Sequence, residues 1–212
     1  PLVSELWAKK EGKLLKAGMD LLYKYSFIIV LPLVFVILSF SDLVIEVLFG
    51  KNYILAGTPM KILSIGMIFM TMHLINVNFF LGIGQPQIQS KILYIAAVFN
   101  FITDLILIPM LGTIGAAITT TLSFFIMMVM GLIYIRKFIM IEFPFKVWIK
   151  IFLAGLGFIV LISVLKKLIV LNVWVETGFI LIVAIMFYTI LLFLLKVVDI
   201  QEVKYLHKRV FK

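Results

Sequence analysis

Polar residues inside apolar stretches are the first candidates for chemistry, because burying polar groups in lipid is costly and such residues tend to be functional. His73, Asn76 and Phe80 follow one another at i, i+3 and i+7, so they share one face of a helix. Asn100 and Asp104 are i, i+4 neighbours. We predict that His73 and Asn76 line a cavity. Asn100 and Asp104 are a candidate buried polar pair or relay, and we expect Asp104 to be buried against a polar partner on a neighbouring helix. The alternative is that these groups hydrogen-bond between helices and hold them together.

Few other residues in the sequence are suited to catalysis. The second histidine, His207, lies in a basic C-terminal stretch, and the chain contains no cysteine, which excludes thiol catalysis and cysteine-ligated zinc. No HExxH, DDxxD, Ser/His/Asp or phosphate-loop pattern is evident. We therefore predict a protein that is not an enzyme, with no catalytic residue, metal site or cofactor.

The composition indicates that lipid is the solvent for much of the chain. The 212 residues are 64% hydrophobic and 14% charged, whereas soluble domains are about a quarter charged. The net charge of +9 would suggest nucleic acid as a partner of a soluble protein. Here the lysines cluster in loops and at the ends, where they would face anionic lipid headgroups, so we predict the lipid bilayer as a partner and no nucleic acid.

Long apolar runs predict an all-α integral membrane protein with about six transmembrane helices. Each run is near the roughly 20 residues that a helix needs to cross a hydrocarbon core. The alternating pattern of barrel strands is absent from the sequence. Pro32 lies inside the first run, so we expect a kink there and a neighbouring helix that satisfies the freed carbonyl. The six runs are 25–49, 59–81, 92–110, 114–135, 147–165 and 179–198.

The segments outside the runs are basic, and they predict the orientation. Residues 1–24 contain five lysines among leucines and a tryptophan, which fits either an amphipathic surface helix or a solvated connector. Fifteen of the 19 Lys and Arg residues would lie on the side of the N-terminus. Because positive charge is retained inside, we predict a multi-pass protein of the plasma membrane with both ends of the chain cytoplasmic. The chain begins with Pro1, and we expect its N-terminus to be a cut within a longer polypeptide.

Several segments together resemble the C-terminal half of the polysaccharide biosynthesis flippases, a family in the superfamily of multidrug, oligosaccharidyl-lipid and polysaccharide exporters. No single segment is specific, but they occur in the family's order over about residues 1–125. The segments are Pro1–Leu6 (PLVSEL), Leu31-Pro32, Leu48–Ala56 (LFGKNYILA), Asn100 with Ile108-Pro109, and Gly112–Ala117 (GTIGAA).

The resemblance implies that the six runs are spans nine to fourteen of a fourteen-span protein and form one lobe of a two-lobed transporter. Two such lobes rock around a central cavity. The run 59–81 would line that cavity, and the last two runs could flank a groove for a polyprenyl tail. The family often has a second asparagine where this chain has Asp104, so no family role is carried over to that position.

These observations divide the chain into four predicted parts. They are a cytoplasmic amphipathic connector (1–24), a four-helix part of the C-terminal lobe (25–136), a final helix pair (137–198) and a basic cytoplasmic tail (199–212).

The predicted function is the C-terminal half of a flippase that moves polyprenyl-phosphate-linked oligosaccharide by alternating access. Its partners would be the lipid-linked sugar and the missing N-terminal lobe of the same protein. Two alternatives stay open: a drug or organic-cation antiporter of the same superfamily, and a non-transporting membrane subunit or enzyme of glycan assembly.

Overall fold

The computed structural model describes residues 2–140, 145–169 and 172–198, and these residues form helices. Six of the helices, α2 to α7, are long and apolar enough to cross a membrane. The predicted fold class, an all-α membrane protein with six spans, is confirmed. The helices are α1 (Leu2–Ala8), α2 (Gly12–Phe49), α3 (Gly57–Gly82), α4 (Pro86–Leu111), α5 (Thr113–Ile135), α6 (Phe145–Leu168) and α7 (Val173–Leu194), and a 3-10 helix spans Lys51–Ala56.

The first span is longer than the hydropathy of the sequence indicates. It begins at Gly12 rather than at Tyr25, so most of the expected connector is helix continuous with the span. The reason is an apolar stripe at four-residue spacing, Leu15, Met19 and Tyr23, which is buried in the core. Lysines between these positions lower the local hydropathy without interrupting the stripe. Residues 199–212, the expected basic tail, lie outside the described residues.

The first of two apolar cores joins α1 and the first half of α2 to α3, α4 and α5. Small residues allow α3 and α5 to approach closely, since a Cβ at Gly66 would lie 2.9 Å from the Thr121 hydroxyl oxygen. The same hydroxyl donates a hydrogen bond to the Ile62 carbonyl at 3.1 Å. The helices α2 to α5, called the four-helix part below, are therefore joined by polar contacts as well as by apolar packing.

The second core joins α6 and α7 to the second half of α2. Each of the two helices buries one apolar stripe, and Gly155 on α6 lets Leu31 and Phe35 of α2 approach. The helices α6 and α7, called the terminal pair below, pack on α2 and on each other. The buried stripes are Ile151, Ala154, Phe158 and Ile162 on α6, and Ile180, Ala184, Tyr188 and Leu192 on α7.

The helix α2 passes through Pro32, and the terminal pair compensates for the missing backbone donor. A proline at position 32 has no N–H to offer the carbonyl of Ile28. The Tyr188 hydroxyl of α7 donates a hydrogen bond to that carbonyl at 3.0 Å. The expectation that a neighbouring helix satisfies the freed carbonyl is confirmed.

Contacts at the two ends of the bundle show how the spans alternate in direction. At one end the Lys150 ammonium, near the start of α6, donates to the Leu195 carbonyl at 3.0 Å, just after α7. At the other end the Lys166 ammonium donates to the Ser39 carbonyl at 2.8 Å. The first and last described segments consequently lie at the same end of the bundle.

Candidate functional site

The polar face of α3 points into the first core. His73 is 2% exposed, and Asn76 and Phe80 are fully buried. His73 and Asn76 therefore share one face of α3, as predicted. Both side chains are buried among the described residues, and neither is exposed on their surface. A position beside a central cavity stays a prediction, because the rest of such a cavity would come from outside this chain.

Asn76 joins three helices. Its side-chain oxygen accepts a hydrogen bond from the Tyr23 hydroxyl of α2, and its amide nitrogen donates to the Met128 carbonyl of α5 at 3.4 Å. Gly131, one turn further along α5, leaves the space that the Asn76 side chain occupies, because a Cβ there would lie 2.9 Å from the Asn76 Cγ. This geometry matches the alternative of interhelical hydrogen bonding.

His73 joins α3 to the start of α4. Its Nε2 atom lies 3.2 Å from the Gln89 side-chain nitrogen. An amide nitrogen is only a donor, so in this arrangement the Nε2 atom accepts and the ring proton sits on Nδ1. The backbone of Met127 on α5 also interacts with the His73 ring. Within the described residues the Gln89 side-chain oxygen has no hydrogen-bond partner, so one acceptor of this pair is left for a further polar group.

Asp104 has a polar partner on a neighbouring helix, but that partner is not Asn100. The hydroxyl of Thr119 on α5, which is fully buried, donates to the Asp104 carboxylate. The Asn100 amide nitrogen is buried and has no hydrogen-bond partner among the described residues. The structure therefore brings Asp104 to Thr119, and it does not show the predicted Asn100–Asp104 pair as a hydrogen bond.

Three polar residues of this region were absent from the sequence-based prediction: Tyr23, Lys24 and Gln89. Lys24 was counted with the flanking charges, yet it is 8% exposed and its ammonium lies 5.5 Å from the centre of the Tyr25 ring. The signal that would have revealed Tyr23 and Lys24 is the apolar stripe that begins at Leu15. Gln89 carries no such signal, because it stands in the first turn of α4.

Taken together, the buried groups can exchange hydrogen bonds but do not form a reactive centre. Among the described residues, no group of three or more His, Asp or Glu side chains is placed to hold a metal ion. The polar contacts instead link α2, α3, α4 and α5. The fold and this region define a class of protein: a multi-span helical membrane protein whose interior is built from helices joined by polar side chains.

Comparison with known proteins identifies the family. The sequence profile described as lipid II flippase MurJ matches residues 1–196. A solved structure of a lipid II flippase MurJ in an inward closed conformation superposes with a TM-score of 0.76 at 18% identity, covering 90% of this chain and 40% of that one. The chain belongs to the MurJ flippase family, which is a family of transporters and not of enzymes. The expected resemblance to lipid-linked-sugar flippases is confirmed.

Two curated relatives agree with this assignment. An uncharacterized membrane protein of Methanocaldococcus jannaschii, MJ1068, is 38% identical over all 212 residues, which span 42% of that relative. The probable low-salt glycan biosynthesis flippase Agl15 of Haloferax volcanii is 30% identical over 146 residues, 69% of this chain and 31% of the relative. The chain thus spans less than half the length of the relatives it matches.

Proposed function

We propose that this chain is the C-terminal part of a flippase that moves a polyprenyl-phosphate-linked oligosaccharide across the plasma membrane by alternating access. The observation that carries the proposal is the family match over residues 1–196. One similar protein is named as a lipid II flippase and another as a probable glycan biosynthesis flippase. A glycan attached to a lipid is a class of cargo that is consistent with the names of both similar proteins.

The two regions of the chain suit the two halves of such a cargo. The sugar head needs polar surroundings during passage, whereas the polyprenyl tail needs an apolar surface that is open to lipid. Phe179, Ile182 and Met186 on α7 are each at least half exposed, so the terminal pair offers such an apolar surface. We place the tail beside the terminal pair, and the sugar between this lobe and the missing N-terminal part of the same protein.

The proposal is tested with the full-length protein in liposomes. A fluorescent polyprenyl-diphosphate oligosaccharide in the inner leaflet should become accessible to an impermeant quencher with saturable kinetics. A labelled phospholipid of the same charge should not be moved, and neither should an organic cation. Movement of the cation without the lipid-linked sugar would favour the drug antiporter, and movement of neither would favour a non-transporting subunit.

The orientation is a second part of the proposal: both ends of the chain are cytoplasmic. The structure buries Lys24, and leaving it out of the count of 15 changes the Lys and Arg balance to 14 against 4. The bias is therefore kept. In intact cells, a cysteine that replaces Lys137 should be shielded from an impermeant thiol reagent, and one that replaces Lys167 should be labelled. The reversed pattern would overturn the orientation.

A further inference from the structure

The turn between α1 and α2 and the segment after α5 form the walls of an open pocket. Its volume is about 770 Å³, within the range of small-molecule sites. It lies at the end of the bundle that holds the first and last described segments. Its lining residues are Lys10, Glu11, Gly12, Lys13, Leu14, Lys16, Phe138, Ile139 and Met140.

The pocket carries a net positive charge, and two of its three lysines have no ion pair or hydrogen bond among the described residues. Three lysines and one glutamate line it. The neighbouring Lys9 is paired with Glu5 at 2.6 Å, and this ion pair lowers the pKa of the Glu5 carboxyl. In residues 2–140, 145–169 and 172–198, the structure gives the ammonium groups of Lys10 and Lys13 no ion pair or hydrogen bond. These two cations are available to an anion.

The backbone at Lys10 shows that a lysine is held at this position against its conformational preference. The Glu11 N–H donates to the Leu6 carbonyl and the Lys10 N–H to the Trp7 carbonyl, which is the Schellman arrangement that ends α1. The residue at the left-handed position of this motif is usually glycine, yet here it is Lys10 with φ of 56°. The same motif ends α7 with Lys196 at the left-handed position, so the conformation fixes where the Lys10 side chain leaves the backbone and does not by itself assign it a role.

The other wall of the pocket is apolar. Leu14 contributes from α2, and Phe138, Ile139 and Met140 contribute from the segment after α5. Met140 is 85% exposed although it is apolar. A free inorganic anion would gain nothing from this wall, whereas the glycerol and upper acyl carbons of a lipid would be removed from water by it.

The pocket lies at the polar end of α2, before the apolar run that begins at Tyr25. Trp7 is 38% exposed and Leu22 is 51% exposed in this part of the chain. Tryptophan is enriched at the membrane–water interface, and lysines at that level face anionic headgroups. We therefore place the pocket at the level of the headgroups.

We propose that this pocket binds the phosphate of an anionic phospholipid, with Lys10 and Lys13 on the phosphate and the apolar wall against the glycerol body. The proposal does not depend on the identity of the cargo. A bound lipid would link the α1–α2 turn to the end of α5, and it would neutralise the charge that these lysines place together.

Native mass spectrometry of the 212-residue chain in a neutral detergent tests the site, because it resolves lipids by mass. Phosphatidylglycerol, phosphatidylcholine and inorganic phosphate are the three probes. The variant Lys10→Gly with Lys13→Gln keeps the turn and removes both charges. Its matched control is Lys196→Gly with Lys51→Gln. Among the described residues other than glycine, Lys196 is the second with a left-handed backbone, and both control positions lie outside the pocket.

The expected result is one tightly held phosphatidylglycerol on the wild type and on the control. Each lysine near a membrane surface is worth about 1 kcal/mol toward anionic lipid, which is about fivefold, so the pocket variant should bind roughly 25-fold more weakly. Equal binding of phosphatidylcholine, or binding of phosphatidylglycerol by the pocket variant within twofold of the control, would overturn the proposal. Displacement of the lipid by millimolar inorganic phosphate would show a free-anion site and refute the lipid assignment.

Discussion

The four-helix part and the terminal pair are held together by different forces. In the four-helix part, Asn76, Thr119 and Thr121 each make a polar contact to another helix. In the terminal pair, α6 and α7 meet through stripes of Ile, Ala, Phe and Leu. Lipid is as apolar as leucine, so apolar contacts alone give little preference for a partner helix over lipid. Polar contacts and close-fitting small residues supply that preference.

This difference predicts how substitutions will affect the stability of each region. A buried hydrogen bond fixes the distance and the rotation of the two helices that it joins. An apolar stripe tolerates small adjustments of side-chain rotamers. We therefore expect the four-helix part to behave as one rigid unit and the terminal pair to tolerate substitution, except where Tyr188 and Lys166 donate hydrogen bonds to the backbone of α2.

The largest expected effect comes from adding one methyl group where a hydrogen-bonded side chain fills the space. Gly131→Ala places a Cβ against the Asn76 side chain, which two hydrogen bonds hold in place. We expect the free energy of unfolding to fall by about 3 kcal/mol, from overpacking together with a disturbed hydrogen bond. Reversible unfolding in mixed micelles measures the change.

The matched control is Gly155→Ala in the terminal pair. Its Cβ would lie 2.5 Å from the Leu31 and Phe35 side chains, whose outer carbons can move aside. We expect a loss of about 1 kcal/mol. Equal losses at Gly131 and Gly155 would contradict the difference between the two regions.

A smaller effect is expected at the hydrogen bond from Tyr188 of α7 to α2. Tyr188→Phe removes the donor to the Ile28 carbonyl, which has no backbone donor because residue 32 is proline. We expect a loss of about 1 kcal/mol. In a Pro32→Ala background the amide of residue 32 should serve that carbonyl, and Tyr188→Phe should then cost little. A double-mutant cycle gives the coupling directly, and additive losses would refute the proposed compensation.

A change in stability of similar size decides between the two interpretations of the α3 polar face. Asn76→Ala removes two interhelical hydrogen bonds, and at an average of about 0.6 kcal/mol each it should lower the free energy of unfolding by about 1 kcal/mol. If Asn76 only joins helices, transport by the full-length protein should fall in proportion to the amount of folded protein. The same holds for His73→Ala. Loss of transport at normal stability would instead support the predicted role of both residues at a central cavity.

The spans could be predicted from the sequence because every helix that crosses lipid must be long enough to span the hydrocarbon core and must be mostly apolar. The start of α2 could not be read from hydropathy, since Lys13, Lys16 and Lys24 hide the buried stripe. The stripe itself was present in the spacing of Leu15, Met19 and Tyr23. Burial against other helices, not average hydropathy, sets that boundary.

The polar residues were found from the sequence, but their partners were not. Asn76 and Tyr23 are 53 residues apart, so their contact depends on how α2 packs against α3. The contact of Asp104 with Thr119 was within reach of sequence reasoning. The very short turn at Gly112 makes α4 and α5 antiparallel neighbours, and this places the two residues at similar depth. A polar partner for Asp104 on a neighbouring helix was predicted, but Thr119 was not named as that partner.

The most direct test of the account is to compare the 212-residue chain with the full-length protein in the same liposome assay. A rocking carrier needs two lobes that seal alternately on either side of its cargo, and this chain supplies six spans of one lobe. We predict saturable movement of the lipid-linked oligosaccharide by the full-length protein. The 212-residue chain, verified as folded, should move no more than empty liposomes do. Saturable movement by the chain alone, at a concentration where it is monomeric, would contradict the account.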